Sequence, residues 1–188
     1  MRKFTLALAF GVLSAPAFAP AMADGITIEV AGVANGTISI DLLEDVAPQH
    51  VEQITALASE GFYDGVYFHR VIDGFMAQTG DGEFAKAEGG NLRRAGMGGS
   101  EMPDLNAEFS DIPYERGIVG MARSQNPNSA NSQFFIMFDE APFLNGQYTV
   151  VGRVTAGMDI VDKIKKGRGQ NGAVTGEPDQ MVKVTVTE

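Results

Sequence analysis

The chain has no cysteine and no tryptophan, and only two histidines, His50 and His69. Without cysteine there is no disulfide framework, no thiolate nucleophile and no sulfur ligand for a metal. Two isolated histidines do not make a zinc site, so neither a metal nor a cofactor is expected. Positive charge is also scarce. Fourteen Lys and Arg stand against 24 Asp and Glu, a net charge of −10. Such a surface repels phosphate backbones and anionic lipid, which excludes nucleic acid and membrane as partners. The chain lacks internal repeats and interdomain linkers. It has one long apolar run, Phe4 to Leu13, which falls short of the ~20 residues that cross a bilayer.

That run reads as an export signal. Arg2 and Lys3 precede it, Pro16 and Pro20 break the apolar stretch beyond it, and Ala21-Met22-Ala23 forms an A-x-A cleavage pattern before Asp24. An alternative at Ala17-Phe18-Ala19 would leave Pro20 just after the cut, which is unfavourable. We therefore expect residues 1–23 to be removed, leaving one domain over 24–188. Losing Arg2 and Lys3 takes the charge from −10 to −12. The product is expected in the periplasm of a Gram-negative cell, free of the membrane once cleaved.

Patterning predicts mostly short strands. Ile26 to Val30 and Thr37 to Leu43 alternate apolar and polar residues around Asn35-Gly36, which suggests a hairpin with a type I′ turn. Asn35-Gly36-Thr37 is formally a glycosylation sequon, but the turn already accounts for it. Pro48 to Glu60 reads as a helix with Pro48 at its first position and Gly61 past its end. His50 is expected to be solvated in its first turn. Gly117 to Ala122, Gln133 to Met137, Tyr148 to Val154 and Met181 to Val186 read as strands. A second helix runs from Met158 to Lys166, ended by Gly167. The Gly-rich segment from Gly82 to Ile112 has no Walker-type Lys, so a flexible loop bordering a groove is expected rather than a phosphate site.

The chain is organised around Phe68-His69-Arg70-Val71-Ile72-Asp73-Gly74-Phe75-Met76-Ala77-Gln78-Thr79-Gly80-Asp81. Two apolar runs flank Asp73-Gly74, a strong hairpin signal. Alternation puts Phe68, Arg70 and Ile72 on one face, with His69 and Val71 on the other. On the second run Phe75, Ala77 and Thr79 oppose Met76 and Gln78. By pattern alone this hairpin also suits a sheet edge with a solvated Arg.

The stretch is similar to the central motif of the cyclophilins, the peptidyl-prolyl cis-trans isomerases. Gly120-Met121-Ala122-Arg123 with Ser132-Gln133-Phe134-Phe135-Ile136, and Phe143-Leu144-Asn145-Gly146-Gln147-Tyr148-Thr149-Val150-Val151-Gly152, come after it in the family's order. The resemblance runs from about Ile26 to the C-terminus. It implies a mainly β fold, a closed eight-stranded antiparallel β-barrel capped by two α-helices, and an enzyme that speeds X-Pro rotation in exported proteins. It assigns Arg70 as the catalytic donor. Phe75, Met76, Phe135 and Leu144 would form the proline pocket. Gln78 and Gln133 would orient Arg70 and the substrate backbone, and Ala122 and Arg123 would pair with an extended peptide through main-chain atoms. His69 would lie near the proline without acting as a base. By residue type alone the apolar set reads more readily as core, and only its place in the matched motifs makes it a pocket.

Three positions depart from many eukaryotic members: Phe143 replaces Trp, Tyr148 replaces His and Arg123 replaces Asn. Bacterial members resemble the chain better around Phe143 and Arg123. The departures fall where inhibitor and substrate are held, so cyclosporin is expected to bind weakly. Proline-containing polypeptides are the expected partners of a monomer. A chaperone module that holds proline segments without turnover is the alternative, and the intact Arg-Phe-Met-Gln set favours the enzyme.

Overall fold

The computed structural model describes residues 25–187, so the proposed signal segment lies outside the described residues. Nine strands form one antiparallel sheet: β1 (Gly25–Ala31), β2 (Gly36–Leu42), β3 (Val66–Tyr67), β4 (Arg70–Ile72), β5 (Met76–Thr79), β6 (Ile118–Met121), β7 (Phe134–Met137), β8 (Val150–Ala156) and β9 (Gln180–Thr187). Their order across the sheet is β3-β9-β1-β2-β8-β6-β7-β5-β4. Two helices, α1 (Pro48–Ser59) and α2 (Met158–Lys163), pack on β9 and β2 respectively.

The sheet is curled but open, a half-barrel of nine strands rather than the closed barrel of eight. The expected first strand of the central hairpin, the run before Asp73-Gly74, is broken at Phe68-His69. There the backbone bonds to loops instead of a ladder: Phe68 N–H donates to the Asp179 carbonyl at 2.9 Å, and the His69 carbonyl accepts from Val174 N–H at 3.0 Å. β3 and β4 are therefore the two edges of the sheet, joined by two residues. The break also undoes the expected alternation. Phe68 is fully buried in the main core instead of sharing the face of Arg70. Phe75 lies in the turn before β5 and packs with Met76, not with Ala77 and Thr79.

Three other expectations need correction. The β1–β2 connection is not a two-residue type I′ turn. Val30 pairs with Gly36 across a five-residue loop, and Asn35 lacks the positive φ that a type I′ turn demands. α2 stops at Lys163 instead of Lys166. Ile164 turns extended (φ −53°, ψ 131°) with its side chain buried, and Lys165 N–H donates to the buried Asp179 carboxylate at 2.6 Å. His50 is fully buried, not solvated, with Nδ1 2.6 Å from Glu108 Oε2. A carboxylate only accepts, so Nδ1 is the donor.

That contact belongs to a helix cap. α1 has Ala47 at its N-cap position and no capping side chain of its own. Glu108, from a distant loop, accepts from the N–H groups of Gln49 (3.3 Å) and His50 (3.2 Å), which would otherwise lack partners.

Two apolar clusters result. The main core joins the inner faces of the strands to Val51, Ile54, Leu57 and Ala58 of α1 and Val161 of α2. A second, smaller cluster sits on the opposite face of β5, β6 and β7 and includes Met76, Tyr114, Ile118, Phe135, Met137 and Leu144. Apolar packing on both faces explains why β6 and β7 are buried throughout and read as unbroken apolar runs.

Candidate active site

The second cluster is the floor of a groove, and strand register builds it. Arg70 pairs with Gln78, Gln78 with Phe135, and Phe135 with Gly120, so these four form one row across β4, β5, β7 and β6. Ile72, Met76 and Met137 form the next row. Gly120 makes room in the first row. A Cβ there would meet Tyr114 Oη at 2.4 Å and Phe135 Cζ at 2.6 Å. Its absence lets the rings of Tyr114 and Phe135 stack with centroids 5.8 Å apart. Burial pushes the Tyr114 hydroxyl pKa well above its ordinary range, so it remains a neutral phenol beneath the floor.

The groove encloses about 420 Å³. Phe75, Met76, Phe135 and Leu144 give it apolar surface, with Phe143 at the rim. Phe143 is 65% exposed, its ring 5.6 Å from that of Phe75. Arg70 and Gln78 stand in one wall, and Ala122, Arg123 and Tyr148 complete the lining with Gln147. The side chain of Arg123 folds back on its own loop. Its guanidinium lies 4.3 Å from the Tyr148 ring centre and donates to the carbonyls of Gln147 (2.8 Å) and Ser124 (2.9 Å). The Ala122 N–H is already bonded to the Gln133 carbonyl at 2.9 Å.

Arg70 is fixed on two sides. Nε donates to the Asn171 carbonyl at 2.9 Å, and Nη1 donates to Gln78 Oε1 at 3.0 Å, with Met76 Sδ at 3.9 Å. An Arg can only donate, and this orients every amide behind it. Gln78 presents its oxygen to Arg70 and so donates Nε2 to Gln133 Oε1 at 2.9 Å. Gln133 in turn donates to the Gly98 carbonyl at 2.7 Å. Partial burial lowers the Arg70 pKa; a guanidinium starts so high that it stays charged at neutral pH.

Two expected site residues line adjoining cavities. Gln133 lines a neighbouring cavity of about 600 Å³ beyond Gln78, and reaches Arg70 only through Gln78. His69 lines a third cavity with Arg70 and Gln78. The Gly-rich loop between them is pinned rather than loose. The buried Asp81 carboxylate accepts from the N–H groups of Gly96 (2.7 Å) and Gly98 (3.2 Å), and Asn131 Oδ1 from Ser100 N–H (2.8 Å). Sequence reasoning missed Asn171, Gly98 and Tyr114. Asn171-Gly172 carries a turn signal, yet nothing in it pointed to Arg70, 101 positions away.

A family model described as cyclophilin type peptidyl-prolyl cis-trans isomerase/CLD matches residues 26–187. The chain belongs to the cyclophilin family. Its activity is that of a peptidyl-prolyl cis-trans isomerase, the name also carried by its relatives. A probable peptidyl-prolyl cis-trans isomerase from Brucella suis is 56% identical over 189 residues, which cover 99% of this chain and 96% of that protein. The crystal structure of cyclophilin AquaCyp293 from Hirschia baltica superposes with a TM-score of 0.68 at 25% identity, over 86% of this chain and 73% of that one. A cyclophilin type isomerase from Cryptosporidium parvum, solved in the presence of the dipeptide Ala-Pro, gives a TM-score of 0.71 at 24% identity, over 87% of this chain and 99% of that one. As a cyclophilin, the chain places the three matched motifs on β4–β5, on β6–β7 and on the segment leading into β8, around one groove.

Proposed function

We propose that the groove binds a proline side chain on its apolar floor, and that Arg70 donates a hydrogen bond to the imide nitrogen as the X-Pro bond twists. Rotating that bond breaks amide conjugation, with a barrier of roughly 18–20 kcal/mol. The planar amide is strongly dipolar, whereas the twisted one has lost its resonance and carries a lone pair on nitrogen. A low-polarity floor favours the twisted state relative to water. A donor aimed at the lone pair acts only once that pair exists, so it stabilises the transition state selectively.

Magnitudes divide the labour. A hydrogen bond to a charged group contributes about 1.5–3 kcal/mol, whereas a ten-thousandfold acceleration needs about 5.4 kcal/mol. The floor and the positioning of the substrate supply the remainder. Ala122 and Arg123 pair with the peptide through the Ala122 carbonyl and the Arg123 N–H. No bond to the enzyme forms and no proton moves, so neither metal nor base is needed.

The observation that carries this reading is the registered row of Arg70, Gln78 and Phe135 above a cluster separate from the main core. The substrates we propose are proline-containing segments of exported proteins, met by a monomer in the periplasm after removal of residues 1–23. The deciding experiment is an isomerisation assay on an X-Pro peptide, with wild type beside Arg70→Ala. We expect at least a tenfold loss in the variant with a cooperative unfolding transition retained, since Arg70 is half-buried and fills no core volume. Equal rates in the two proteins would remove Arg70 from the mechanism.

A further inference from the structure

The central motif ends on Gly80-Asp81, and the mechanism gives Asp81 no role. Asp81 is 0% exposed and lines neither the groove nor the two cavities beside it. Its carboxylate nevertheless takes four backbone N–H groups. Oδ1 accepts from Glu83 (3.2 Å) and Phe84 (2.8 Å), which ties it to its own turn. Oδ2 crosses to the Gly-rich loop and accepts from Gly96 (2.7 Å) and Gly98 (3.2 Å). Burying a carboxylate is unfavourable unless donors surround it in this way, so its place is closely specified.

Gly98 carries the connection onward. Its N–H is held by Asp81, and its carbonyl accepts from Gln133 Nε2 at 2.7 Å. Gln133 meets Gln78, and Gln78 meets Arg70. Asp81 itself stands two positions beyond β5, the strand that carries Gln78. Gly80 packs that strand end on Ser132-Gln133. Its φ is +89°, a Cβ would run into the Ser132 carbonyl, and Ser132 Oγ donates to the Gly80 carbonyl at 2.8 Å. The path closes into a ring, from Gln78 through Gln133, Gly98 and Asp81 and back to Gln78 along the backbone.

We propose that Asp81 is a positioning residue for the isomerase: by holding Gly98 it sets the Gln133 amide, through that the Gln78 amide, and so the aim of Arg70. This rests on the role given to Arg70 above. A carbonyl only accepts, so Gln133 must turn its NH2 to Gly98 and its oxygen to Gln78. With Gly98 displaced, Gln133 is free to flip. Its NH2 then competes with Arg70 for the Gln78 oxygen. The guanidinium loses its hold at Nη1 and keeps only the one at Nε.

The test uses Gly98→Ala and Asp81→Ala, each alone and combined with Gln78→Leu. Gly98 has no positive φ, and a Cβ on it would run into Asp81 Oδ1 and lie 2.8 Å from Glu83 Cβ, so the new methyl disturbs this one anchor. Turnover of an X-Pro peptide gives kcat and KM, and nitrogen NMR of the Arg70 guanidinium reports how firmly it is held. We expect kcat to fall roughly threefold to tenfold in each single variant, with KM moving less than about twofold. Restricted rotation at the Arg70 Nη groups should be lost in both. On top of Gln78→Leu the same changes should add almost nothing, because the chain is already cut. Asp179→Ala removes another buried carboxylate; it should lower stability and leave kcat nearly unchanged. If Asp81→Ala does not fold, Gly98→Ala carries the test. Unchanged kcat in Gly98→Ala beside an impaired Arg70→Ala would overturn the proposal. So would a loss confined to KM, or losses that multiply in full with that of Gln78→Leu. If Arg70→Ala keeps the wild-type rate, the reading of Arg70 fails instead, and the Arg70 NMR signal still decides whether Asp81 positions it: a signal unchanged in both variants overturns the proposal whatever the rates.

Discussion

Arg70 is held by a carbonyl through Nε and by an amide oxygen through Nη1, and the second hold can be removed without touching the first. Gln78→Leu keeps the volume but deletes the acceptor and breaks the chain through Gln133 to Gly98. We expect kcat to fall about tenfold, near the lower value of a charge-assisted hydrogen bond, with KM changed by only a few-fold. A loss confined to KM would mean that Gln78 contacts substrate instead of positioning Arg70. Phe143 poses the opposite case, a residue at the rim and 65% exposed. Cyclophilins with Trp at this place can donate an indole N–H to cyclosporin; a phenyl ring cannot. We expect Phe143→Trp to raise cyclosporin affinity by the worth of one hydrogen bond, about 0.5–1.5 kcal/mol, while the isomerase rate moves only a few-fold. Unchanged affinity would shift attention to Tyr148 or Arg123. His69 shows where residue-level reading from the motif stopped. It adjoins Arg70 in sequence, but the strand breaks beside it, and it lines a different cavity.

Among the elements, α1 depends on a residue outside itself. Desolvation pushes the Glu108 carboxyl pKa up, but the hydrogen bonds from the His50 side chain and from the N–H groups of His50 and Gln49 outweigh it and hold it below the usual range. A depressed folded-state pKa sets the sign. The stabilisation is fully present above the unfolded value of about 4.3 and is lost as pH falls through the folded value. Glu108→Gln should therefore cost about 1–2 kcal/mol at pH 7, typical of a lost cap with a buried partner left short. The gap to wild type should close below about pH 4. Urea midpoints across pH 3 to 7 measure this, and a gap independent of pH would dismiss the cap. The beginning of α1 was legible in Pro48 and its apolar stripe, because those signals are local. Its cap was not legible, because Glu108 lies 58 positions from His50. The same limit hid the early end of α2 and the break between β3 and β4, both set by Asp179 and its neighbours. Strands β5 to β7 were readable because apolar runs flanked by turns need no distant partner.

For the whole molecule, one prediction comes from the sequence and one from the fold. At the N-terminus, Ala21-Met22-Ala23 predicts an exported protein beginning at Asp24; mass spectrometry finding Met1 retained would overturn it. At the seam of the half-barrel, a single carboxylate holds what the strands do not. Asp179 is 1% exposed. Its Oδ1 accepts from Ala34 N–H at 3.0 Å in the β1–β2 loop, and its Oδ2 from Lys165 N–H at 2.6 Å beyond α2. Its own carbonyl accepts from Phe68 N–H at the junction of the two edge strands. Three separate segments thus meet on one residue, and exposed sheet edges are replaced by bonded loops. Asp179→Asn nearly preserves shape but not bonding. An amide has one accepting oxygen, so its NH2 must face either the Ala34 or the Lys165 N–H, donor against donor. We expect a loss of about 2–4 kcal/mol, one charge-assisted hydrogen bond with a buried donor left unpaired. Asp179→Ala should cost no less, because both donors lose their partner. Isomerase activity at temperatures where the variants remain folded should fall less than in Arg70→Ala, since the seam holds Phe68 and His69 and not the groove floor. Unfolding midpoints within ~0.5 kcal/mol of wild type, the range of ordinary surface substitutions, would mean that the seam is held by the ladders on either side and that Asp179 is a passenger.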